Sequence, residues 1–101
     1  MTTLEKQNAR TVVEAVAALH ADMSLNDEIM LALINEGELI DAYFSLGLRI
    51  RHEFGLWTDN NALLESCRIV SGDKNLDADT ASMMIVRALW EKVKSNNILQ
   101  D

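Results

Sequence analysis

Placed at 100° per residue, the apolar positions of the stretch from Glu38 to Trp57, ELIDAYFSLGLRIRHEFGLW, gather on one side of a helix. Leu39, Tyr43, Leu46, Ile50 and Phe54 form one row, and Ile40, Phe44 and Gly47 form the row beside it. Glu38, Asp41, Ser45, Arg49, His52 and Glu53 fall on the opposite side. Arg51 does not: it continues the row Ile40, Phe44, Gly47, so its stem leaves the helix within the apolar arc. Gly55 suits the left-handed residue that follows a helix end, with Leu56 and Trp57 folding back on the last turn.

The same reading places four more helices. Thr2 or Thr3 caps a first, with Thr2-x-x-Glu5 as a capping box and Leu4, Val12, Val16 and Leu19 as its apolar side, fading near Ala21. Ser24 caps a second, after Met23 as a staple, with Asp27 in its first turn and Leu25, Ile29, Met30, Leu33 and Ile34 on its apolar side. Asn35-Glu36-Gly37 breaks the chain. Thr58-Asp59-Asn60-Asn61 starts a fourth helix that runs to about Ile69, and Ser71-Gly72-Asp73-Lys74-Asn75 is a loop. Asp77 caps the fifth, DADTASMMIVRALWEKVK. Ala81, Met84, Ile85, Val86, Ala88, Leu89, Trp90 and Val93 spread over more than half its circumference, so it is either covered on several sides or covers a second subunit. Residues 95–101 read as a tail that frays.

Composition agrees with this pattern. Proline is absent, glycine occurs four times, and helix formers dominate. The expected fold is all-α, an irregular bundle of four to five helices in one domain over residues 1–101, with helices 38–54 and 77–94 packed together. No apolar run approaches a membrane-spanning length and the N-terminus has no signal core, so a cytoplasmic, bacterium-like setting is the default expectation. The single cysteine, Cys67, excludes an internal disulfide and reads as a buried hydrophobe.

Charge is segregated. Between Thr11 and Leu48 there is no Lys or Arg but there are seven acids: Glu14, Asp22, Asp27, Glu28, Glu36, Glu38 and Asp41. The other nine acids balance the nine bases, so the net charge of −7 resides in that segment. That argues against nucleic acid and anionic membranes as partners and allows either a surface for a basic protein or a solvating face.

Few residues invite chemistry. An unpaired buried guanidinium costs several kcal/mol, so Arg51 either snorkels to the rim or meets a carboxylate from another segment. Asp79, in the first turn of the fifth helix, is the expected counter-ion, with Asp77 or Asp59 as substitutes. Ser82, in the middle of that helix's apolar arc, reads as a packing residue or a hydroxyl bonded to its own helix. Arg49, Arg51, His52 and Glu53 diverge around the helix, and neither His52–Glu53 nor His20–Asp22 has metal-ligand spacing. No cofactor or metal is implied. Trp57 and Trp90 are each either core or an anchor on an exposed patch.

The order Tyr43-Phe44-Ser45-Leu46-Gly47, Ile50-Arg51-His52, Gly55-Leu56-Trp57 resembles a family of small bacterial proteins of unknown function. Their pattern runs H-F-G-L-G, I-R-N and G-L-W, with a later P-D-D-x-S that Asp79 and Ser82 match in part. The resemblance spans roughly residues 38–95, and the chain departs from it at Tyr43, Ser45, His52, Ala78 and Thr80. It implies attention to Arg51 and Asp79 and carries no activity with it.

Two functional expectations follow. One is a non-enzymatic interaction or regulatory module, open to self-association, presenting the acidic 22–41 surface or the Gly55-Leu56-Trp57 corner to a protein partner, as an inhibitor or immunity-type protein would. The other is a small enzyme or ligand binder with a pocket around Arg51, His52, Glu53 and Trp57.

Overall fold

Four of the five described helices begin where a side chain receives an unpaired backbone N–H group, and the central one follows a capped 3-10 turn instead. The computed structural model describes residues 8–56 and 60–97. It contains α1 (Val12–Asp22), α2 (Leu25–Leu33), a 3-10 turn (Glu36–Glu38), α3 (Leu39–Glu53), α4 (Asn61–Ser71) and α5 (Ala78–Asn97), with no strand among the described residues. Ser24 Oγ accepts from Asp27 N at 3.1 Å, and Asn35 and Glu38 form a reciprocal capping box ahead of α3. Asp77 accepts from Thr80 N at 2.9 Å, and this backbone bond holds its carboxyl below the usual carboxylate range.

The first helix differs from the expectation. Rather than running unbroken from Thr2 or Thr3, the chain reaches Val12 through a turn at Asn8, and Thr11 is the cap, its Oγ1 accepting from Glu14 N at 3.1 Å. Glu14 in turn accepts from Arg10 N at 2.8 Å, the residue before the cap, so Thr11-x-x-Glu14 makes one half of the box assigned to Thr2-x-x-Glu5 and shifts the other half by one residue. Thr2, Leu4 and Glu5 lie outside the described residues, as do Trp57, Thr58 and Asp59. α4 runs two residues beyond Ile69, to Ser71, where Gly72 ends it at φ 77°. α5 continues through Lys94 to Asn97, so the segment from residue 95 is helical as far as 97.

α5 is the axis of the bundle. It packs against α1, α2, α3 and α4, and Ala81, Ser82, Ile85, Val86, Leu89, Trp90 and Val93 are all buried. Of the two readings of its broad apolar arc, enclosure within the chain is the one observed. α3 packs along α5 on one side only, so it buries a narrower arc than the pattern suggests. Leu39, Gly47, Ile50 and Phe54 are buried, but Ile40 and Phe44, assigned to the apolar face, are 55% and 70% exposed. The two helices approach closely at Gly47, where an added Cβ would come 3.3 Å from Ser82 Oγ.

Polar groups inside the bundle are bonded across elements. α3 ends in a Schellman motif: Leu56 N–H donates to Arg51 O at 3.0 Å, Gly55 N–H to His52 O at 3.3 Å, and Gly55 is left-handed at φ 71°. The buried Asn60 donates from Nδ2 to Ala9 O (2.9 Å) and Phe54 O (2.8 Å), while its Oδ1 accepts from Leu63 N. At the C-terminal end of α2, Trp90 Nε1 donates to Ile34 O at 2.8 Å and Lys94 Nζ to Ala32 O at 3.2 Å. Trp90 is thus a core residue with a polar task.

Asn60 ties the segment before α1, the end of α3 and the start of α4 to one amide. Asn60→Ala should lower the unfolding free energy by about 3 kcal/mol, because a cap is lost and two buried carbonyls lose their donor. Asn60→Asp should also destabilise, since it keeps the cap but cannot donate. Urea unfolding measures both, and a change in Asn60→Ala under about 0.5 kcal/mol would contradict this account.

Candidate functional site

The helical register that puts Arg51 beside Gly47 aims its guanidinium at the first turn of α5. Nη1 donates to Ser82 Oγ at 2.9 Å, and Nε sits 3.3 Å from Asp79 Oδ1, a charge contact rather than an aligned hydrogen bond. Ser82 Oγ itself donates to Asp79 O at 2.7 Å, so the buried hydroxyl is both bonded to its own helix and engaged by the arginine. The pair is lopsided: the Arg51 side chain is 14% exposed and that of Asp79 65%. Asp77, the named substitute, is committed to its own cap, and Asp59 lies outside the described residues.

The other members of the sequence cluster do not follow Arg51. Arg49 lies 3.4 Å from Glu53 along the outer side of α3, and His52 is exposed. Leu48, Arg49, His52 and Glu53 border an open depression away from the Ser82–Asp79 contact. Trp57, the fourth group of the imagined pocket, lies outside the described residues. Cys67 is fully buried, and burial pushes its thiol up to about 11, so it stays protonated and unreactive at neutral pH. Among the described residues no three His, Cys, Asp or Glu side chains gather as metal ligands.

The acids of residues 22–41 divide into separate groups. Glu36 accepts from Arg87 Nη2 at 2.7 Å, which pushes the Arg87 pKa up, and Glu38 is held in the Asn35 capping box. Glu28 lies 2.9 Å from His20. Asp22 and Asp27, by contrast, border a cleft of about 320 Å³. Its floor is Leu19 of α1, Leu31 of α2, Leu46 of α3 and Leu89 of α5, with Met23 at its edge and Arg49 among its lining residues. The sequence reading missed this cleft because four helices each contribute one leucine; the one local signal was an acid pair, Asp22 and Asp27, flanking Met23.

Because Asp79 is largely in water, the ion pair contributes under about 1 kcal/mol, and the aliphatic stem of Arg51 does more for packing than its charge does. Arg51→Met, close in length and uncharged, should stay within about 1 kcal/mol of wild type, whereas Arg51→Ala should lose about 2 kcal/mol to the cavity. Chemical denaturation separates them; a loss above about 2 kcal/mol in Arg51→Met would make the charge, not the stem, the stabilising element.

No curated protein and no solved structure matches this chain. A family does: the profile of a domain of unknown function, DUF6794, matches residues 10–93, from the turn that precedes α1 to the last fully buried valine of α5. That match takes in the first four helices, the last helix as far as Val93, the Arg51–Ser82–Asp79 contact and the leucine-floored cleft, and the chain belongs to the DUF6794 family.

Proposed function

We propose that the protein is a non-enzymatic interaction module whose cleft at Asp22 and Asp27 receives a basic segment of another protein. The observation that carries this is a coincidence of charge and shape. The whole net charge of −7 lies within Thr11–Leu48, and two acids of that segment, against the single cation Arg49, border a depression floored by leucines. A Lys or Arg side chain suits such a place, because its aliphatic stem covers apolar surface while its charged head stays near carboxylates at the rim. An inhibitor or immunity-type role, in which an acidic module neutralises a basic partner, is one form of this function.

The rival reading, a small enzyme or ligand binder built on Arg51, His52, Glu53 and Trp57, draws less support. The Arg51 guanidinium is engaged by Ser82 and Asp79 of α5, while His52 and Glu53 border a separate depression. Nucleophilic chemistry has little to work with, since Cys67 is buried and Ser82 has both its neighbours in hydrogen bonds without a histidine base.

The test is comparative. Proteins from the native host retained on immobilised wild type at about 50 mM salt and released by about 0.5 M should include a basic species that the Asp22→Lys/Asp27→Lys variant fails to hold. The purified species should bind the variant at least about tenfold more weakly. Equal binding by both proteins, or retention of no basic species, would refute the proposal.

A further inference from the structure

The exposed side of α3 is not uniformly polar. Ile40, Phe44 and Leu48, spaced i, i+4, i+8, are 55%, 70% and 51% exposed and form a continuous apolar stripe about 12 Å long. A phenylalanine that open, in line with two other large apolar residues, is a surface that water wets poorly.

Charge along α3 selects the occupant. Glu38 and Asp41 stand at the N-terminal end of the helix, and Arg49 and His52 at its C-terminal end. On the helical wheel Asp41 and His52 lie 20° apart, on the same flank of the stripe. Two antiparallel helices set like flanks against each other and run in opposite directions. A second α3 laid antiparallel across the first, centred between Phe44 and Leu48, therefore places each phenylalanine over the other copy's Leu48. The same register sets Asp41 within one residue of the other copy's His52, twice by symmetry. A carboxylate accepts from an imidazole N–H in either protonation state, and antiparallel helices also oppose their dipoles favourably. A parallel pairing would instead stack acid on acid. The overall repulsion between two −7 chains is screened beyond about 10 Å at 0.1 M salt, leaving contact-level complementarity to decide.

We propose that the Ile40–Phe44–Leu48 stripe of α3 is the seam of a symmetric antiparallel homodimer. This places the seam on α3 and not on α5, whose apolar arc is already enclosed by the four other helices. Leu46, the α3 residue in the floor of the acidic cleft, lies about 160° around the helix from Leu48, so both surfaces can be occupied together and neither proposal depends on the other. A seam of this length falls at the small end of specific interfaces, so association is expected at micromolar concentration.

Light scattering or sedimentation between about 5 and 300 µM tests it. Wild type should pass from the 11.3 kDa chain mass to twice that value. Phe44→Asp, at an exposed position, should stay monomeric with unchanged circular dichroism; Leu48→Glu serves as a second disruption in case that variant misfolds. Asp41→Lys should weaken the dimer at least about fivefold, and adding His52→Glu should restore it, as expected when opposite charges face each other across the seam. Monomeric wild type at the highest concentration, or a dimer that survives both apolar disruptions, would overturn the seam. Failure of the double charge exchange to restore association would overturn the antiparallel register.

Discussion

One helix has to be enclosed on nearly all sides, and the rest of the structure serves that enclosure. α5 buries Ala81, Ser82, Ile85, Val86, Leu89, Trp90 and Val93, an arc that no single neighbour could cover. Four helices share the task, three of them, α1, α2 and α4, only 11, 9 and 11 residues long. Helices of that length are marginal alone in water, so their helicity comes chiefly from the apolar face they place on α5. The bundle is irregular for the same reason: lengths and directions are set by what covers the axis, not by a repeated pairing.

Such enclosure leaves backbone groups at helix ends away from water, and side chains from distant elements supply the missing partners. Trp90 and Lys94 reach back to carbonyls of the α2 terminus, the Ser66 hydroxyl accepts from Val12 N at 3.2 Å, and Asn60 bonds three segments at once. These bonds add modest net free energy each, but leaving any one unmade inside the bundle costs more than making it gains. They fix which helix end meets which neighbour. Arg51 belongs to the same class: its bond to Ser82 and its contact with Asp79 fasten the C-terminal part of α3 to the first turn of α5.

Because α5 takes up the best apolar surface internally, what remains for other molecules lies at the margins of its cover. The leucine-floored cleft opens where α1, α2 and α3 converge over Leu89, and the Ile40–Phe44–Leu48 stripe is the part of α3 that a one-sided packing leaves outside. Membership of a family of unknown function assigns no task to either surface. The segregation of negative charge into the first half of the chain places Asp22 and Asp27 at the cleft and Asp41 on α3.

The sequence by itself determined the all-helical fold, the cap residues Ser24 and Asp77, the left-handed Gly55, and the position of Arg51 within the apolar arc of its helix. Those features depend on spacing within one turn or on a strong local preference, and one sequence is enough to express them. Tertiary structure alone decided that α5 is the axis, that Phe44 faces outward while Gly47 faces in, and that Asp22 and Asp27 overlook leucines from four helices. Amphipathic periodicity says that a helix has an apolar side; it does not say how wide an arc the neighbours will cover. That width follows from how many helices share one axis, and no single stretch of the chain carries it.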